Sequence, residues 1–335
     1  MPIALADLQR WFPGILLSAT IGAAAAFLGS HYGAPVMLFA LLLGIAFNFL
    51  GTESACKPGI DVSSRFMLRL GVGLLGLRIA LDDIVAFGPR SALMVAGLMA
   101  LTIGTGFVAA RLFNRRWQFA LLTGGAVAIC GASAALAIAA VIPADEEHER
   151  NTLFTVMAVT SLSTVAMVLY PILFTLLGLD AVQSGFLIGA TIHDVAQVVG
   201  AGYSLGEDAG NTATIVKLFR VALLPVVLIV IVLSLRATHR GGEGRVPLLP
   251  WFMVLFLALS VLTSVVALPQ ALLDAVDTTS RALLITAIAA LGVKTSLKAM
   301  RDVGGGHLAV VTLETVVLLS AAVGLMLIWG GPMAG

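Results

Sequence analysis

The stretch GGAVAICGASAALAIAAVIPA, residues 124–144, decides how this chain folds. It is apolar almost throughout and long enough to cross a bilayer, which takes about 20 residues of helix. At its middle stand four small residues, Cys130-Gly131-Ala132-Ser133. Glycine holds a helix less firmly than alanine, so the run is a weak point. One reading is a break. Unwound backbone inside a bilayer is tolerated only where it is buried in protein or lines a cavity. A break would free N–H groups and aim a half-helix N-terminus, with about half a positive charge, into the protein, where it would bind an anion. The other reading is close helix packing through small side chains, with the helix left whole.

The surrounding chain explains why such a stretch is membrane-embedded. Of 335 residues, 59% are hydrophobic and 11% charged, whereas a soluble domain carries about 25% charged residues. The formal net charge of +1 points to no nucleic-acid partner. The two cysteines, Cys56 and Cys130, lie in different segments, so a disulfide framework is not expected. The N-terminus lacks the basic region and cleavage site of a signal peptide, so the first span is expected to stay. Apolar runs near 12–30, 34–50, 65–84, 90–112, 118–143, 151–178, 182–203, 211–235, 250–268, 279–300 and 306–329 give eleven candidate spans. None shows the period of two of a membrane β-barrel. The expected class is an all-α polytopic membrane protein, a single domain over 1–335, with the lipid bilayer as its solvent.

Lys and Arg set the orientation. With a cytoplasmic N-terminus and eleven crossings, eleven cations fall inside, among them Arg111, Arg115, Arg116 and Arg236, and three fall outside, Arg90, Arg150 and Arg281. The five others, Arg69, Arg78, Lys217, Arg220 and Lys294, lie within spans. This places the chain in the plasma (inner) membrane with an external C-terminus and the loop DEEHER, residues 145–150, outside.

Two segments align without a gap. RFMLRLGVGLLGLRIALDDIVAFG begins at Arg65 and RALLITAIAALGVKTSLKAMRDVG at Arg281, an offset of 216. Arg65/Arg281, Leu75/Leu291, Gly76/Gly292, Leu81/Leu297 and Gly88/Gly304 are identical, and Arg78 aligns with Lys294. The copies run in opposite directions, the inverted repeat common in secondary transporters. The repeat cannot be extended to Gly131, because this offset would run past the end of the chain.

Ionisable residues inside a membrane are functional candidates. Five intramembrane cations face only two deep acids, Asp194 and Glu314, and an anion would balance the excess. Arg78 and Lys294 could instead snorkel to the interface. Lys217 and Arg220, at i and i+3, share a helix face and lie deep. They bind an anion or pair with Asp194 or Glu314. In GFLIGATIHDVAQVVGAGYSLG, His193 and Gln197 share a face beside Asp194, bracketed by glycines. The cluster suggests a second interrupted helix, with His193, whose ordinary pKa is near 6.5, as a proton carrier. Interhelical hydrogen bonding is the plainer use of the same residues.

The runs AICGASAALA, GATIHDVAQVVGAG, VKLFRVALLP and LLGLRIALDDI together resemble the YeiH-type sulfate exporter family, the UPF0324 membrane proteins. Asp194 stands where relatives commonly carry Glu, which keeps the carboxylate. The resemblance implies the architecture of the bile-acid symporters and cation/proton antiporters, with inverted repeats and two interrupted helices crossing at the midplane. It also implies a sulfur oxyanion as substrate. The expected function is a secondary transporter exporting sulfate, sulfite or an organic sulfonate, not an enzyme, with no cofactor, metal or catalytic residue. Cys130, Gly131, Ala132, Ser133, His193, Gln197, Lys217 and Arg220 would bind substrate, and His193, Asp194 and Glu314 would couple transport to a proton or another ion. No nucleotide-binding motif appears, and a homo-oligomer is compatible with the sequence. The alternatives are a cation/proton exchanger using Asp194 and Glu314, and an intramembrane enzyme using Cys130 with His193 and Asp194, which would need an accessible thiolate.

Overall fold

The computed structural model describes residues 5–32, 35–51, 55–79, 87–237, 250–266, 268–295 and 305–329, and all regular structure among them is helical. The expected span ends at residues 80–84 and 296–300, most of the loop at 236–245, and the repeat positions Leu81, Leu297 and Gly304 lie outside the described residues. The chain is a polytopic membrane protein. Among the described residues six helices are long and apolar enough to cross a bilayer, at Gln9–Tyr32, Gly88–Leu112, His148–Leu176, Glu207–Leu235, Gln270–Lys294 and Leu308–Ile328. The remaining apolar runs form shorter or broken helices.

The chain divides into two compact units. The first draws on Met1–Ala86, Val199–Leu205 and Pro250–Leu297. It holds α1 (Leu5–Tyr32), α2 (Val36–Ala46), α3 (Lys57–Val62), α4 (Leu68–Leu74), α13 (Trp251–Val265) and α14 (Gln270–Lys294). A π-helical stretch at Ser63–Met67 joins α3 to α4 without a break. Here the aligned glycines have a common use. A Cβ on Gly292 would lie 2.3 Å from the Leu41 carbonyl, and one on Gly76 would lie 2.1 Å from that of Phe256. Each lets its helix press against backbone of the helix that precedes the other copy, α2 or α13, the small-residue packing of membrane helices.

Two of the intramembrane cations of this unit have carboxylate partners. Arg78 pairs with Asp277 at 3.1 Å and Lys294 with Asp61 at 2.6 Å. Asp61 and Asp277 are themselves related by the offset of 216. The cation of each copy is therefore held by the acid of the other, as a two-fold arrangement requires. Counting only two acids against five intramembrane cations overlooked these partners. Arg69 is exposed, so the electropositive excess narrows to Lys217 and Arg220.

The second unit draws on Phe87–Val198, Gly206–Leu249 and Lys298–Gly335. It contains α5 (Gly88–Leu112), α6 (Trp117–Ala128), α7 (Ala132–Ala139), α8 (His148–Leu176), α9 (Ala181–Thr191), α11 (Glu207–Ala222), α12 (Leu224–Ala237) and α15 (Gly305–Trp329). α10 (Val195–Ser204) begins in it. The crossing expected at 118–143 is not there. A straight helix over those residues would separate its ends by about 39 Å. Instead Arg115 reaches Glu147 at 3.7 Å and Arg116 reaches Asp145 at 3.5 Å. A Cβ on Gly125 would lie 2.2 Å from Ile138 Cδ1, so α7 lies back along α6. The segment is a helical hairpin with both ends at one level, and the acidic loop 145–150 lies beside Arg115 and Arg116 rather than opposite them.

The second broken segment also returns. Gly185 of α9 packs against Ala209 and Thr212 of α11, and Gly189 against Ala213 and Val216. Both series rise together, so α9 and α11 run parallel. The start of α11 therefore lies level with the start of α9. Asp180 caps α9, accepting from the Gln183 amide at 2.7 Å while the Gln183 side chain accepts from the Asp180 amide at 3.2 Å, a capping box.

Candidate functional site

Each hairpin tip is a short stretch of non-helical backbone. The first spans Ile129–Gly131 and the second Ile192–Asp194. α6 ends at Ala128 and α9 at Thr191, while α7 starts at Ala132 and α10 at Val195. Both ends and both starts are 63 positions apart. This second offset pairs Ile129 with Ile192 and supplies the partner for the weak point that the offset of 216 could not reach.

Gly131 makes the first turn. Its φ is +59°, a region costly for side chains other than glycine. Its N–H donates to the Ala126 carbonyl at 2.8 Å, closing α6, and its carbonyl accepts from Ala135 at 3.0 Å, opening α7. A Cβ here would sit 2.5 Å from Asp194 Oδ1. Glycine is thus required both by the turn and by the carboxylate of the other tip, which lies against the Ala132 amide at the start of α7. The anion found at this half-helix N-terminus belongs to the chain itself. Asp194 is half-buried and Ser133 exposed. The Thr160 hydroxyl lies 3.4 Å from Asp194 Oδ2, and Ser163 Oγ accepts from the Asp194 amide at 3.0 Å.

Lys217 and Arg220 serve the opposite ends of the broken helices. Lys217 Nζ donates to the Ile129 carbonyl at 2.8 Å, to the Ile192 carbonyl at 3.0 Å and to the His193 carbonyl. Arg220 donates to Ala128, Val127, Gly189 and Ile192 carbonyls at 2.8–3.0 Å. Among the described residues no carboxylate forms an ion pair with either cation. Both are fully buried. Burying two cations is costly unless they are compensated. Compensation comes from the carbonyl ends of α6 and α9, each carrying about half a negative charge from its aligned peptides. Besides the anticipated roles, gripping an anion or pairing with Asp194 or Glu314, the hydrogen bonds show a further one. The lysine's three donors are all spent on backbone, and the two cations tie the tips together.

The remaining candidates lie around this knot. His193 Nε2 is 3.0 Å from Thr315 Oγ1, whose own proton goes to the Val311 carbonyl at 2.7 Å. Among the described residues its buried Nδ1 makes no hydrogen bond. Gln197 reaches Thr164 at 3.4 Å, with Oε1 unpartnered among the described residues. Glu314 is fully buried, 2.7 Å from the Thr123 hydroxyl through Oε1, with Oε2 likewise unpartnered among them. Cys130 is a buried free thiol, and among the described residues no hydrogen bond joins it to His193. Arg78 and Lys294 belong to the other unit and its acid pairs.

Sequence reasoning did not find Thr160, Ser163, Thr164, Thr123 or Thr315. The run TSLST, residues 160–164, was the available signal, a polar patch in the middle of an otherwise apolar helix. Among the described residues no group of three or more metal-ligating side chains forms.

A family model described as Conserved hypothetical protein 698 matches residues 13–311. The chain is 52% identical over 318 residues to the UPF0324 membrane protein TauZ of Paracoccus denitrificans, covering 93% of each. The chain belongs to the UPF0324 membrane protein family. Among other UPF0324 proteins it is 49% identical to RB0971 of Rhizobium meliloti, over 92% of this chain and 90% of the relative. It is 48% identical to CT0845 of Chlorobaculum tepidum, over 94% and 89%. No solved structure matches this UPF0324 chain.

Proposed function

We propose that this UPF0324 protein is a secondary transporter that exports a small sulfur oxyanion, sulfate, sulfite or an organic sulfonate, by alternating access at the hairpin tips. The observation that carries this reading is the meeting of two fold-back hairpins on one pair of buried cations. Each hairpin enters and leaves on one side. With two hairpins in place of two spans, nine crossings remain. The cytoplasmic N-terminus and external C-terminus suggested by the cation distribution are kept. The first hairpin then opens to the cytoplasm and the second to the outside.

The same topology completes the inverted repeat in permuted form. α2, α3–α4 and α5 correspond to α13, α14 and α15. The first hairpin with α8 corresponds to the second hairpin with α11–α12. Such repeats place the substrate near the midplane.

At the tips, the amide end of α7, the exposed Ser133 hydroxyl and Thr160 offer donors to an oxyanion. Lys217 and Arg220 contribute positive charge from behind without touching it. Asp194 competes with the substrate for the same amides, so neutralising it by a proton would open the site and couple anion movement to protons. One observation favours the cation/proton exchanger instead. Glu314 Oε2 is a buried carboxyl oxygen without a hydrogen-bond partner among the described residues, as a proton or cation carrier would be. Nothing at the tips forms an acyl-transfer dyad, and no enzymatic activity is proposed.

Purified protein in liposomes loaded with labelled sulfate, sulfite or a sulfonate should show saturable efflux, steepened by an imposed pH gradient. Asp194→Asn should flatten that pH dependence. Failure of all three anions to move, with sodium or potassium exchanging for protons in the same vesicles, would replace this reading with the exchanger.

A further inference from the structure

The carbonyl oxygens that hold Lys217 form a ligand set with a familiar chemistry. Ile129, Ile192 and His193 turn their carbonyls onto one ammonium nitrogen. Convergent backbone carbonyls are how proteins strip water from a small monovalent cation. Here they come from the C-terminal ends of two helices, whose dipoles add negative potential at that point. Ile129 and Ile192 occupy equivalent places in the two hairpins, so the ammonium sits where the tips are related. Lys217 is fully buried, and among the described residues no carboxylate lies within ion-pairing distance of it, Asp194 acting on it only from farther off. A direct ion pair would explain a buried lysine without any cation site, and none forms among the described residues.

We propose that Lys217 is a built-in cation: its ammonium fills a carbonyl-lined monovalent-cation site shared by the two hairpin tips, which a small free cation can occupy when the side chain is removed. Arg220 completes the closure by taking the carbonyls just before these, at Val127, Ala128 and Gly189, and by sharing that of Ile192. Because the cation is covalently supplied, the tips are locked without sodium or potassium, and the stability of the natural protein is indifferent to which of them is present. The inference rests on hydrogen-bond geometry and does not depend on the identity of the transported anion.

The test is thermal unfolding of the full-length protein in detergent, in choline chloride against sodium, potassium and ammonium chloride at equal ionic strength. The wild type should unfold at one temperature in all four. Lys217→Ala should fall by about 10 °C in choline and recover at least half of that loss, saturably, with one or more of the small cations. Lys217→Gln keeps two N–H donors, so it covers the case in which the alanine variant does not accumulate. It too should be lower in choline and rise with a small cation. A Lys217→Ala protein as stable as the wild type in choline would overturn the proposal. So would a destabilised variant, alanine or glutamine, that ignores every small cation, because the carbonyls would then be no cation site.

Discussion

The two units solve the same electrostatic problem in different ways. In the first, Arg78 and Lys294 are paired with carboxylates, and all four side chains stay partly exposed, between 26% and 40%. In the second, Lys217 and Arg220 are sealed from solvent, and among the described residues their hydrogen bonds go to backbone carbonyls. The difference follows from the backbone. Arg78 and Lys294 stand at the ends of their own helical segments and are met there by Asp277 and Asp61. The broken helices of the hairpins have orphaned C-terminal carbonyls, which must find donors where there is no water. A cation supplies several at once. The carbonyl-bound cations join the two breaks.

That contrast is most exposed at Arg220. Arg220→Gln leaves carbonyls of both α6 and α9 without donors, each costing about 1–3 kcal/mol, and should abolish accumulation of folded protein in fluorescence-detected size-exclusion. Neutralising Asp194 or Glu314 as well should give no rescue. Rescue by either would mean that the cation answers to an acid after all, and the contrast between the units would collapse.

Gly131→Ala comes next. It combines the positive φ, about 1–2 kcal/mol, with a methyl group inside the contact distance of Asp194. The variant should lose roughly 2–4 kcal/mol in thermal or denaturant unfolding. Gly131→Ala combined with Asp194→Ala should recover the steric part and leave the backbone part. An uncoupled pair would show that the tips do not meet.

The acid pairs should give the smallest effect. Partly exposed ion pairs contribute about 0–1 kcal/mol, so Asp61→Asn and Asp277→Asn should each change stability by less than about 1 kcal/mol, and by similar amounts, because they are equivalent positions of the repeat. A loss of several kcal/mol in either would make the first unit as dependent on its charges as the second.

How much of this was legible in the sequence follows the same division. Helices, the polytopic class and the repeat over residues 65–88 and 281–304 could be read from apolar run length and identities. Asp61 and Asp277 were within reach, since the offset of 216 carries over to them, four residues outside the aligned blocks. The weak points at Gly131 and at the His193–Asp194 run were also visible. The hairpins were not, because length and hydropathy are the same whether a segment crosses or turns back. The turn depends on the conformation of Gly131 and on contacts such as Gly125 with Ile138. The partners of Lys217 and Arg220 were invisible for a different reason. Every residue carries a carbonyl, so nothing in the spelling of residues 127–129 and 189–193 marks them as acceptors. Side-chain acids leave a trace in sequence and backbone oxygens leave none.

The claim on which both the site and the topology depend is that residues 117–139 turn back. The most direct measurement is crosslinking of Arg116→Cys with Asp145→Cys, in a background with Cys56 and Cys130 replaced by serine, in native membranes. A hairpin holds these positions within ion-pairing reach. The expected result is an efficient intramolecular crosslink with a short bis-maleimide, and labelling of both cysteines by an impermeant reagent from the same side. A crossing helix would put them about 40 Å apart. No crosslink, with the two cysteines labelled from opposite sides, would contradict the account.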